Sequence, residues 1–249
     1  MLSDPGFYLV SIPAVLLYGV AKGGFGGAVA VLSVPMMALV MSPTQAAAIL
    51  LPILVVMDVV VVRTYWGQFD RQALRLLLPG AVVGILIGYL AADRMSDDYM
   101  RILIGALSLV FASQQLLGLQ SRGATEHRAG PAGFFGLLAG FTSFSIHAGG
   151  PPLTMYLLPK RLNPLIFAGT AGIFFAVVNA IKLVPYAMLG QFSSDNLLYS
   201  LVLVPLAPLG VKLGHYLVKI TEPGLYYKII SVCLLVLGGK LLWDGIAGL

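Results

Sequence analysis

Lys22-Gly23-Gly24-Phe25-Gly26-Gly27 is the first stretch whose residue types could do chemistry: a lysine beside four glycines, between apolar runs at residues 7–21 and 28–41. Glycine lets the backbone turn sharply and leaves amide N–H groups uncovered. A second such stretch, Ser143-Phe144-Ser145-Ile146-His147-Ala148-Gly149-Gly150-Pro151-Pro152, interrupts the apolar run 131–158. It offers two hydroxyls, an imidazole and a helix start, where proline is at home in the first turn. Helix N-termini, a lysine and hydroxyls around one point would hold a compact oxyanion. The candidate substrate-binding residues are therefore Lys22, Gly23, Gly24, Phe25, Gly26 and Gly27, with Ser143, Ser145, His147, Gly149 and Gly150.

Three polar residues inside apolar runs join them. Asp58 lies within run 44–66, and Asn179 and Lys182 share one face of run 164–188. An ionisable group in a spanning helix is a functional candidate by default. Lys182 would add a second positive charge to the binding set, and Asp58 is the coupling candidate, carrying a proton or balancing a lysine. The bland alternative is that the glycines only let helices approach closely and that both lysines snorkel to an interface. Gly80, Gly84 and Gly88 read as a packing row, and Tyr65 and Trp66 as interfacial anchors.

The elements that must position these groups follow from composition. The 249 residues are 59% hydrophobic and 10% charged, with a mean hydropathy of +0.93, which predicts an all-α polytopic membrane protein. Helices are required because open strands cannot sit in lipid. The lone Cys233 excludes an intrachain disulfide. No Lys or Arg precedes the first apolar run, so no cleaved signal peptide is expected. The net charge of +5 is scattered over short loops rather than gathered in a stripe, which argues for membrane orientation and against nucleic acid.

Each limb around the first glycine turn has about 15 residues, short of the roughly 20 a spanning helix needs. The expectation is a hairpin that dips into the membrane and returns, with a helix N-terminus at each turn. The whole reads as two inverted repeats, each a broken re-entrant hairpin plus three transmembrane helices. The first repeat is 1–119 (hairpin 7–41; helices 44–66, 74–92 and 99–118). A cytoplasmic linker fills 120–130, and the second repeat is 131–249 (hairpin 131–158; helices 164–188, 196–218 and 225–246). Gly67-Gln68-Phe69 returns as Gly190-Gln191-Phe192, Gly80 and Gly84 as Gly210 and Gly214, and Pro43 as Pro164. Paired interruptions in two halves point to a transporter's binding site. With both broken runs as hairpins, nine cations fall on one face: Arg63, Arg71, Arg75, Arg122, Arg128, Lys160, Arg161, Lys219 and Lys228. Only Arg94, Arg101 and Lys240 fall on the other. The positive-inside rule then places both termini outside a cell membrane, expected to be a bacterial inner membrane.

The glycine-rich first break with Pro35 after it, the His147-Ala148-Gly149-Gly150-Pro151-Pro152 second break and the duplicated spacing resemble the TauE/SafE family, the sulfite exporters and toluene-sulfonate uptake permeases. The resemblance implies transport of small sulfur-containing anions such as sulfite, thiosulfate, sulfoacetate or other organosulfonates. The residues alone reach "anion"; the sulfur comes from the resemblance. The expected function is secondary transport with substrate held between the hairpin tips at mid-membrane, by alternating access. A proton or sodium gradient would drive it, since no Gly-Lys-Ser/Thr nucleotide loop is present. The expected partners are the anion, lipid and the coupling ion, with no cofactor and no metal. A passive anion channel is the alternative. A serine hydrolase using Ser143 or Ser145 with a histidine is the remote one, since no Gly-x-Ser-Gly motif supports it.

Overall fold

A computed structural model describes residues 4–27, 29–92, 96–117 and 126–249. Most of the predicted linker, with Arg122, and also Arg94, lie outside the described residues. Eleven α-helices run through the described residues: α1 Pro5–Gly24, α2 Ser33–Met37, α3 Pro43–Thr64, α4 Arg71–Ala91, α5 Asp97–Leu116, α6 Ala129–Ile146, α7 Gly150–Leu157, α8 Pro164–Met188, α9 Ser194–Leu203, α10 Leu206–Ile220 and α11 Pro223–Ala247. The sequence dictates many of the starts. Asp4, Ser42, Asp70, Asn163 and Ser193 each accept a backbone N–H of the following first turn, and Pro5, Pro43 and Pro164 stand inside it. Gly67 and Gly190, with φ of 81° and 67°, turn the chain after α3 and α8.

The chain is a multi-pass helical membrane protein. Six helices among the described residues are long and apolar enough to cross a bilayer, and α9 with α10 would make a seventh. Large apolar side chains such as Leu86, Leu90, Leu201, Val236 and Trp243 face outward, as lipid requires. The single helix predicted over 196–218 is instead the pair α9 and α10, bent by 46° at Val204-Pro205. Pro205 supplies no N–H to the helical ladder and its ring crowds the preceding turn, so the helix breaks there.

Both glycine interruptions break their helices and fold the chain back along itself. After α1 the backbone turns at Phe25–Gly27, makes a 3-10 turn at Val29–Leu32 and enters α2, where Ser33 donates its hydroxyl to the Ala14 carbonyl at 2.8 Å. After α6 it turns at His147–Gly149 and runs through α7, until the Tyr156 hydroxyl lies 3.1 Å from His127 Nδ1 at the entrance to α6. The limbs are less equal than the sequence suggested: α1 alone has 20 residues, about 30 Å, against a short return limb. That limb opens with a 3-10 turn and a five-residue helix, so the helix N-terminus expected at the first bend is not formed.

Close helix pairs hold the bends in place. α10 packs on α1 through Gly210 and Gly214, and α4 packs on α6 through Gly80 and Gly84; α3 crosses α8, and α5 lies along α11. A Cβ at Gly23 would come within 2.8 Å of Val211 Cα, and one at Gly84 within 2.7 Å of the Phe141 nitrogen. Gly23→Ala is therefore expected to push α10 away from α1 and to destabilise the protein by about 1–3 kcal/mol. Its thermal unfolding in detergent checks this, with Gly130→Ala, where a Cβ meets only open space, as the neutral comparison.

Candidate functional site

The two bends meet. A Cβ at Gly27 would lie 3.8 Å from Gly150 Cα, and the Phe175 ring of α8 touches both Gly27 and Gly149. The Tyr18 hydroxyl of α1 donates to the His147 carbonyl across the junction, at 3.2 Å. Gly26 and His147 play the same part at the two bends, each in the left-handed region with φ of 63° and 53°. For histidine that conformation is uncommon; the hydrogen bonds of its ring and carbonyl over-determine it.

Around this junction lies a buried chain of polar groups. Lys22 reaches from the end of α1 to α3, where its ammonium sits 2.6 Å from Asp58 Oδ1 and donates to the Leu54 carbonyl at 3.2 Å. The other Asp58 oxygen accepts from Asn179 Nδ2 at 2.7 Å. One turn along α8, the Lys182 ammonium donates to the Ser143 carbonyl at 2.8 Å and hydroxyl at 3.2 Å, and to His147 Nδ1 at 2.7 Å. His147 Nε2 faces the Ala47 carbonyl of α3 at 2.9 Å. A carbonyl only accepts, so the Nε2 proton is present and Nδ1 is free to accept from Lys182: the imidazole is neutral in this arrangement. Lys22 is 2% exposed, Lys182 0% and Asp58 5%. Neither lysine snorkels; both spend their donors inside the protein. With Asp58 ionised, the centre carries two positive charges and one negative.

Of the predicted residues, Lys22, Gly26, Gly27, Ser143, His147, Gly149, Gly150, Asn179, Lys182 and Asp58 converge here. Gly149 and Gly150 contribute the only N–H groups at the start of α7, because Pro151 and Pro152 have none. Four others do something else. Gly23 and Gly24 face the backbone of α10 and are packing glycines. Phe25 fills the apolar core. Ser145 turns its hydroxyl back to the Phe141 carbonyl of its own helix at 3.0 Å.

Sequence reasoning missed two tyrosines. Tyr65, expected at an interface, is fully buried and donates its hydroxyl to the Gly23 carbonyl; only Trp66 is exposed. Tyr186 does the same for the Phe144 carbonyl at 2.8 Å. Each ties the last turn before a bend to a long helix, and their 121-residue separation, that of Pro43 from Pro164, was the available signal. A second polar cluster was also missed: His127 Nε2 bonds Asp70 Oδ2 at 2.7 Å, while the Lys160 ammonium lies 4.5 Å above the Tyr156 ring. Partial burial lowers the Lys160 pKa from its ordinary value, with Asp70 acting in the opposite sense.

Charged groups buried where two broken helices meet, inside a multi-pass bundle, define a class: a membrane transporter, whose unwound backbone is tolerated because protein surrounds it. The chain belongs to the TauE/SafE family; the family model described as "Sulfite exporter TauE/SafE" matches residues 11–241. This is a family of membrane transporters, not of enzymes. No curated protein and no solved structure gave a match.

Proposed function

We propose that this protein is a secondary transporter of small sulfur-containing oxyanions, sulfite, sulfoacetate or another organosulfonate, bound between the two bends and moved by alternating access. One observation carries the reading: two fully buried lysines, from chain segments 160 residues apart, converge where the bends meet. A bilayer-spanning protein keeps such charges only for a task. Lys22, Lys182, Ser143, His147 and the N–H groups of Gly149 and Gly150 would hold the oxyanion, and their burial favours an occluded site over an open pore.

The two halves are taken as inverted repeats, 1–119 and 131–249, with re-entrant hairpins. Asp58 and Asn179 support this: each is the fifteenth residue after the proline that opens its helix, and they hydrogen-bond to each other. So do Tyr65 with Gly23 and Tyr186 with Phe144, both members of each pair shifted by 121 residues. Rocking one half against the other about such a centre would expose it to each side in turn. Both termini outside a bacterial inner membrane follows from the cation distribution.

The test is flux in proteoliposomes. Sulfoacetate, thiosulfate and sulfite are expected to give saturable uptake and counterflow. Uptake that rises linearly with concentration and shows no counterflow would contradict a transporter.

A further inference from the structure

Resting on the site just proposed, we infer that Asp58 is a proton-binding site whose protonation releases Lys22 to the anion, so that one proton crosses with each anion in the same direction. Lys22 is already taken. Its ammonium is held by the Asp58 carboxylate at 2.6 Å and the Leu54 carbonyl at 3.2 Å. An incoming anion can claim Lys22 only by displacing Asp58. That would leave a carboxylate buried at mid-bundle without a counter-charge, one of the costliest states a protein interior can hold. A proton removes the conflict. It binds the carboxylate, Asp58 becomes a neutral acid, and the ammonium turns to the anion. When the anion leaves on the other side the proton leaves too, and the ion pair re-forms.

The neighbours of Asp58 suit both states. Asn179 donates Nδ2 to the carboxylate at 2.7 Å, and the same amide, flipped, presents its oxygen to the carboxylic acid. Asn179 occupies the matching place on α8, so the asparagine is a permanent copy of the uncharged form opposite the switchable one. The other charged or titratable groups around Asp58 are Lys22 and Tyr18 from α1, Lys182 from α8 and His147 from the second bend, with exposed Arg63 five residues along α3. Sodium fits poorly, because the nearest partners of both carboxylate oxygens are N–H donors, not oxygen ligands. A groove of about 310 Å³ between α3 and α8, lined by Val55, Val59, Val62, Arg63, Ala176 and Ala180, also touches Asp58.

The experiment is titration calorimetry of the purified protein with sulfoacetate and with thiosulfate, both fully ionised between about pH 6 and pH 8. Buffers of different ionisation enthalpy report the protons taken up. The wild type is expected to absorb one proton per anion and to lose affinity tenfold per pH unit above the pKa of Asp58. Replacing sodium by choline is expected to change nothing. Asp58→Asn should bind at about pH 8 at least as tightly as the wild type does at about pH 6, with no proton uptake; Asp58→Glu should restore both slope and uptake. Wild-type binding without proton uptake overturns the inference and leaves the anion site standing. A slope retained in folded Asp58→Asn overturns it as well, by moving the proton to the Lys182–His147 pair. No binding of either anion by the wild type removes the site and the inference together.

Discussion

Lys22→Ala is expected to abolish sulfoacetate binding and to destabilise the protein by about 3–5 kcal/mol, the usual cost of breaking a buried ion pair from one side. The variant removes the counter-charge 2.6 Å from Asp58 and leaves Asn179 as its only close donor. Stability and function should then separate in the double variant Lys22→Ala/Asp58→Asn. With the stranded carboxylate gone, most of the lost stability returns. Binding does not, because the cation that meets the anion is still missing. Thermal unfolding in detergent reads the first quantity and calorimetry the second. If Lys22 were only an interfacial anchor, the single variant would lose little of either.

Lys182→Met is the second large effect. Lys182 spends all three ammonium protons on the second bend, at the Ser143 carbonyl, the Ser143 hydroxyl and His147 Nδ1. Methionine keeps the volume and the apolar stem but leaves those acceptors unsatisfied, costing about 1–3 kcal/mol of stability per buried group left unpaired. Anion affinity should fall by at least about a hundredfold, the scale for removing one partner of a buried charge-assisted contact. Lys182→Arg is expected to rescue little, since a planar fork cannot reproduce three donors aimed at one bend. Calorimetric titration of both variants with sulfoacetate checks this; affinity within threefold of the wild type for Lys182→Met would remove Lys182 from the site.

What the sequence made legible was the composition of the centre more than its wiring. Glycine runs and a lysine inside apolar segments stand out because lipid forbids them without a reason, so Lys22, Asp58, His147 and Lys182 could be named without coordinates. Their partners could not. Asp58 pairs with Lys22, 36 residues away, and Lys182 with His147, 35 residues away, and helical periodicity is silent on contacts between helices. The glycines show the same limit. Gly23 and Gly24 sit three and two residues from Gly26 in the sequence, yet that pair packs against α10 while Gly26 makes the turn. Which glycine does which depends on the rotation of α1 about its axis, and α10 sets that rotation. Tyr65 was misplaced for a related reason. Beside Trp66 at a helix end it has the profile of a membrane-interface residue, and packing against Gly23 of α1 and His215 of α10 buries it. The break at Pro205 was legible from the proline itself, although the residues on either side of it are apolar. The weaker first return limb was not, since a 3-10 turn and a regular helix share one hydropathy pattern.

The most direct measurement is an electron cryo-microscopy structure of the protein in lipid nanodiscs with saturating thiosulfate. Density for the anion is expected between the Lys22 and Lys182 ammonium groups, against the N–H groups of Gly149 and Gly150, with Asp58 released from Lys22. An anion bound elsewhere while the Lys22–Asp58 pair stays closed, or either bend drawn out into a continuous helix, would contradict the account.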